Sequence, residues 1–255
     1  MNDPDDMKLQ LIPKTGSAAD TLPVGKGSKK SAEEFMADMP WFRALPAEAQ
    51  RRVRSDSYET AHSRGEMFAR SGEAVHSWLG VIEGLVKIQA VQRDGKVVAF
   101  TGVPAGSWFG EGSVIRRDAR RYDVVTMRPT RLVHVPSPTF RWLLDVSLEF
   151  NHFIIGHLNE RLAQNMSLVE IDRLNHPEAQ LARVIHNLLN PVLYPNFGPF
   201  LPISQEEFGE LAGLSRQRTN AAIKNLEKAG VLRVEYGGVF VEDLSNLMNF
   251  VHQQT

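Results

Sequence analysis

The stretch Ser204-Gln205-Glu206-Glu207-Phe208-Gly209-Glu210-Leu211-Ala212-Gly213-Leu214-Ser215-Arg216-Gln217-Arg218-Thr219-Asn220-Ala221-Ala222-Ile223-Lys224 holds two helix starts separated by a tight turn. Ser204 and Glu207 form a capping box: the hydroxyl takes the amide three residues on, and the carboxylate returns the bond. Phe208, Leu211 and Ala212 supply the buried face of this first helix. Ser215 caps a second helix, Arg216 to about Ala229, with Ala222, Ile223 and Leu226 inward and Gly230 as its end. Val231–Val234, Tyr236-Gly237-Gly238 and Val239–Val241 then read as a hairpin. Two helices across a glycine-containing turn, followed by a hairpin, predict a winged helix-turn-helix.

Charge is sorted between those helices. The first carries Glu206, Glu207 and Glu210; the second carries Arg216, Arg218, Lys224 and Lys228 against Glu227 alone. The positive helix opens on Ser215, Arg216 and Gln217, the last two long enough to reach base edges in a major groove. Arg216 suits guanine O6 and N7, and Gln217 suits adenine N6 and N7. Arg218, Asn220 and Lys224 are candidates for phosphates or neighbouring bases. This predicts double-stranded DNA as the partner; the competing reading is a ligand-binding or scaffolding module whose winged helix meets protein.

Upstream, Glu178–Asn190 is helical, with Leu181, Val184, Ile185 and Leu188 on one face. Before it a long helix runs from about Ser147 to Asn175, stopped by His176-Pro177. Its Ile155, Leu158, Leu162, Asn165 and Val169 recur at intervals of three and four, the seam of a helix packing along a partner, so a homodimer is expected. A short helix spans Pro138 to Asp145. From about Ser57 to Pro136 short Val-, Ile- and aromatic-rich runs alternate with glycine turns. Val86, Ile88 and Ala90 alternate with Lys87 and Gln89 as in a half-buried strand. The result is an α+β chain with an antiparallel sandwich or roll at its N-terminal side. The expected divisions are a disordered tail at 1–34, a β-roll at 35–145, a dimerisation helix at 146–176 and the winged domain at 177–250.

The 255 residues carry a net charge of −1, which excludes a uniformly basic coat but not a local basic patch. With no cysteine there is no disulfide, thiolate zinc site, cysteine nucleophile or Cys-ligated iron–sulfur cluster. No HExxH, Walker loop, GxSxG or spaced carboxylate dyad is present, so no catalytic residue is assigned and an enzyme is not expected. The longest uncharged stretch, 187–205, is broken by four prolines, and the amino terminus lacks an apolar signal region. No membrane association and a cytoplasmic location are the expectations.

The chain resembles the Crp/Fnr family of transcription regulators over about residues 36–250. The matching pieces are Gly72 with Trp78–Gly84, Phe109-Gly110-Glu111 with Arg121, the seam helix, and Leu214-Ser215-Arg216-Gln217. The resemblance implies a cyclic-nucleotide-binding-like roll of the jelly-roll, double-stranded β-helix type, a dimerising helix and a DNA-binding winged helix. It also implies promoter DNA with two half-sites, with RNA polymerase as a further partner. In cyclic-AMP-binding members the Gly-Glu pair takes the ribose, and an Arg followed by Ser or Thr and Ala holds the phosphate. Gly110, Glu111 and Arg121 match, but Tyr122-Asp123 stand where the small pair should be, and Asn165 and Met166 replace the two base-contacting hydroxyls. The effector is therefore expected not to be cyclic AMP. Four arginines within 116–121 suit a more highly charged anion, and Arg120 with Asp123 could grip guanine while Tyr122 stacks, so cyclic di-GMP is a second candidate. A roll that binds nothing small is a third reading. A haem would need an axial ligand such as His76 or His157. No metal site is assigned.

Overall fold

The computed structural model describes residues 30–171 and 176–247, with side chains of 167–171 left out. The expected disordered tail falls, for residues 1–29, outside this range. Ordered helix begins slightly earlier than expected. Ser31 caps α1 (Ala32–Ala37) with a full capping box, followed by α2 (Pro40–Arg43) and α3 (Ala47–Asp56).

Two four-stranded antiparallel sheets form the roll. One pairs β1 (Tyr58–His62), β8 (Thr130–Pro136), β3 (Ser77–Glu83) and β6 (Trp108–Phe109) in that order. The other pairs β2 (Met67–Ala69), β7 (Asp123–Thr126), β4 (Leu85–Val91) and β5 (Val97–Pro104). Between the sheets lie Leu79, Val81, Val86, Ile88, Val103, Phe109, Val124 and Leu132, all buried. The one-turn α4 (Glu111–Arg116) interrupts the strands and was not anticipated from sequence. Gly110 opens it in a left-handed conformation (φ 96°), which no ordinary side chain adopts cheaply.

Five aromatic side chains fasten the helices to the roll. The Trp78 and Trp108 rings stack at 4.1 Å, Trp41 from α2 meets both at 5.2 Å, and Phe140 and Phe150 pack on Trp78. Phe140 belongs to α5 (Ser137–Val146) and Phe150 to α6 (Leu148–Ile171), so α6 leaves the roll in a fixed direction. The long helix expected to Asn175 is described as far as Ile171; residues 172–175 lie outside the described range.

The C-terminal part comprises α7 (Pro177–Leu188), β9 (Phe200–Leu201), α8 (Gln205–Ala212), α9 (Arg216–Lys228), β10 (Leu232–Glu235) and β11 (Gly238–Val241). The sheet order is β10-β11-β9, so the wing gains a third strand that sequence reading did not see. Its core, including Ile185, Phe208, Ile223 and Val239, also takes in Leu85 and Met127 from the roll. One expectation is corrected here. Strand β4 is not half-buried, because Lys87 and Gln89 are buried along with Val86 and Ile88. The outer face is covered by α8, whose Glu210 accepts the Lys87 ammonium at 2.8 Å.

Two imidazoles, His157 buried and His134 half-buried, give the fold an acid-sensitive stability. Burial pushes His134 down to about 4, with His62 and Arg120 adding to it. Burial also pushes His157 to about 4, with Arg161 adding to it. Both folded values lie below that of the unfolded chain, so their stabilisation is full above the unfolded value and is lost as pH falls toward 4. Between pH 7 and pH 5 each should cost about 2 kcal/mol. Urea unfolding across that window should show an uptake approaching two protons, reduced by about one in His157→Gln. A flat profile would contradict this assignment.

Candidate functional site

A cavity of about 450 Å³ opens between the roll, α6 and the C-terminal end of α7. Its floor is polar and fully engaged on one side. Arg161 of α6 donates through Nε to Glu111 Oε1 at 2.8 Å and through Nη2 to the Trp108 carbonyl at 2.7 Å. Glu111 is 3% exposed, and its second oxygen, Oε2, has no hydrogen-bond partner among the described residues. Burial opposes the charge on Arg161, yet Glu111 together with Tyr194 and Tyr122 more than offsets it and the guanidinium is held above its usual range. The pair is a neutralised carboxylate whose second oxygen is enclosed and keeps a spare acceptor lobe. Around it stand Thr101, Phe109, Tyr122, Leu158, Gln164 and Asn165. Burial pushes the Tyr122 phenol up, so it stays protonated and can donate.

The expected pocket residues divide. Gly110, Glu111, Tyr122 and Asn165 line the cavity. Arg120 is 6% exposed and sits behind Tyr122, its guanidinium 5.5 Å from the ring centre. Arg121, expected at a phosphate, instead points outward: its side chain is 69% exposed and bonds to Asp118 at 3.0 Å. The Arg116 and Arg121 guanidiniums together hold the Asp118 carboxyl below its ordinary value. Asp123 accepts the Ser71 amide at 2.8 Å. Met166 is 68% exposed and lies away from the cavity lining. The reason is the bend at Arg121–Tyr122 just before β7, which leaves Arg121 outside while Arg120 and Val124 are buried and Tyr122 reaches the cavity. The same bend breaks the expected Arg120–Asp123 grip on guanine. Of the two histidines considered for haem, His76 is exposed, and His157 is buried against Phe153 with ring centres 4.1 Å apart.

Sequence reasoning missed Arg161, Gln164 and Thr101. The available signal was an arginine one turn before Asn165, hence on the same helix face.

The second candidate surface is α9. Ser215 caps it by accepting the Arg218 amide at 3.4 Å. Arg216, Gln217, Arg218 and Lys224 are exposed, whereas Asn220 is half-buried with its Oδ1 enclosed. Thr219, Ala222, Ile223 and Leu226 anchor the opposite face. Asn225 donates to Glu178 of α7 at 2.7 Å, tying α9 to the helix beneath it. The result is a rigid cationic ridge led by three long hydrogen-bonding side chains.

Both halves match family models. Residues 59–147 match the cyclic nucleotide-binding domain, and residues 179–250 match the Crp-like helix-turn-helix domain. The chain is a transcription regulator of the Crp/Fnr family. The cyclic AMP receptor protein of Thermus thermophilus is 25% identical over 212 residues, covering 83% of this chain and 96% of that protein. The CRP-like cAMP-activated global transcriptional regulator of Mycobacterium tuberculosis is 25% identical over 225 residues, covering 84% and 97%. Among solved structures, FixK2 from Bradyrhizobium japonicum superposes with a TM-score of 0.60 at 14% identity, covering 76% of this chain and 96% of that one. The c-di-GMP responsive regulator CLP of Xanthomonas campestris gives 0.53 at 21%, covering 78% and 100%, and both likenesses concern the fold alone. The regulator therefore keeps the family's roll and winged helix, while its cavity presents an outward Arg121 and an inward Tyr122. Among its described residues no helix is long and apolar enough to cross a membrane.

Proposed function

We propose that the regulator works as a homodimer on promoter DNA with two half-sites, placing one α9 in the major groove at each. The observation that carries this reading is the capped, exposed N-terminal end of α9, where Arg216, Gln217 and Arg218 stand clear of the protein. Ser215 and Lys224 complete the DNA-facing set, with Lys224 on phosphate, and half-buried Asn220 joins it only through its amide, since its Oδ1 is enclosed. The working division is 35–145 for sensing, 146–176 for dimerisation and 177–250 for DNA, in a cytoplasmic protein that recruits or blocks RNA polymerase. The winged helix as a protein-binding module is the weaker reading, since it leaves the exposed cationic end of α9 without a use.

The effector is not cyclic AMP. A cyclic phosphate needs an inward cation beside a short hydroxyl, and Arg121 is outward while bulky Tyr122 occupies the short position. Losing the charge-assisted bonds alone removes about 1.5–3 kcal/mol each, and every 1.4 kcal/mol is about tenfold in affinity. Cyclic di-GMP gains nothing from Arg120 and Asp123, which face apart, although Arg116 lines the cavity. Calorimetric titration of the purified protein with cyclic AMP is expected to show no micromolar binding. Fluorescence anisotropy is expected to show DNA binding that is the same with and without the nucleotide. Binding at micromolar concentration, or DNA binding that needs the nucleotide, would overturn this reading.

A further inference from the structure

The proline-rich loop 190–199 is exposed over most of its length but sends two side chains inward. Leu193 and Tyr194 are completely buried, and they join the interior of the roll beside Ile88, Val103 and Phe109. Thr101 Oγ1 donates to the Gly102 carbonyl at 3.1 Å, which leaves it an acceptor for the Tyr194 hydroxyl, also at 3.1 Å. Asn190 shapes the loop: its side-chain oxygen takes the Val192 and Leu193 amides at 3.0 and 2.9 Å, and its amide donates to Glu160 of α6 at 2.7 Å. The roll makes room with glycine. A Cβ on Gly106, itself at φ 91°, would lie 2.0 Å from the Asn196 amide nitrogen, and one on Gly102 would lie 3.0 Å from Leu211 of α8. The acidic face of α8 meets three roll cations, in pairs Arg64–Glu206 and Arg128–Glu207 at 2.7 Å and Lys87–Glu210 at 2.8 Å.

We propose that Tyr194 is an internal plug that locks the winged domain to its own roll, and that the cavity works this lock through Thr101. Thr101 is shared: its side chain lines the cavity and holds the plug. This deepens the reading of the cavity as the effector site and rests on it. An occupant that takes the Thr101 hydroxyl removes the Tyr194 hydroxyl's hydrogen bond inside the roll, which disfavours the plugged state. By linkage, whatever opens the loop must change the affinity of the cavity to the same degree. Of the three ion pairs Arg64–Glu206 is exposed and adds little strength, whereas Lys87 and Glu207 are buried members of theirs.

Hydrogen exchange of the full chain tests this. In Tyr194→Ala, amides in 190–203 should exchange about 100-fold faster while those of β3 and β8 keep their protection. Tyr194→Phe and Thr101→Val each remove one end of a single hydrogen bond. Each should speed exchange of the loop by roughly three- to tenfold, and the double variant should do no more than either. This pair keeps the test available if Tyr194→Ala does not fold. Unchanged loop protection in Tyr194→Ala, or additive effects of Tyr194→Phe and Thr101→Val, would overturn the plug. DNA binding of the wild-type chain, measured in parallel, separates the two claims. Loss of loop protection in the variants with no DNA binding by the wild type supports the plug and refutes the DNA reading. DNA binding with unmoved exchange refutes the plug alone.

Discussion

Leu158→Glu combined with Leu162→Glu is expected to produce a monomer that no longer holds a two-half-site operator. On α6 the side chains of Ile155, Leu158, Leu162 and Met166 are 61%, 37%, 59% and 68% exposed, a row of large apolar groups along one helix. Soluble proteins seldom leave such a row uncovered, and burying a Leu is worth about 1.5–3 kcal/mol. Two substitutions per chain place four carboxylates in a self-complementary seam. The combined cost should exceed about 4 kcal/mol, roughly a thousandfold in dimer affinity. Glu introduced at His152, exposed on the same helix, should leave the dimer intact. Analytical ultracentrifugation at micromolar protein decides the matter, and a double variant that still sediments as a dimer would refute the seam. Val169, the last position of the predicted seam, falls outside the described side chains.

Arg216→Ala should cost about 1–3 kcal/mol of operator affinity and relax the preference at one base pair in each half-site. The guanidinium sits at the first turn of α9, exposed and bonded to no side chain among the described residues, so truncation removes a reader and not a support. Lys224→Ala should behave differently. Its loss should weaken every sequence alike and lower the salt slope by about one phosphate contact. Gln217 and Ala221 stand where other family members carry Glu and Arg, so the half-site of those members is not expected here.

The winged helix was legible because its determinants are local. The capping box at Ser204–Glu207, the Ser215 cap, and the glycines that end α8 and α9 act within four residues of each other. The cavity was only half legible. Glu111 and Tyr122 could be placed from neighbouring sequence, but Arg161 reaches Glu111 across fifty positions, and that pairing depends on how α6 leaves the Trp78–Trp108 stack. Arg121 was misplaced because a motif read residue by residue does not show the bend at Arg121–Tyr122 that turns this side chain outward. Docking of the winged domain was not legible at all. The charge of α8 stood out, yet its partners Arg64, Lys87 and Arg128 come from three separate turns and strands of the roll. The same docking explains why β4, patterned as a half-buried strand, is covered on both faces.

The central claim is that α9 reads DNA as one of a symmetric pair, and selection from random-sequence duplex DNA tests it most directly. The wild-type chain should enrich an inverted repeat whose half-site centres lie about one helical turn, or roughly 34–36 Å, apart. Arg216→Ala, selected in parallel, should return the same repeat with one base pair in each half left unspecified. Enrichment of no symmetric site, or of an identical site by both proteins, would contradict the account.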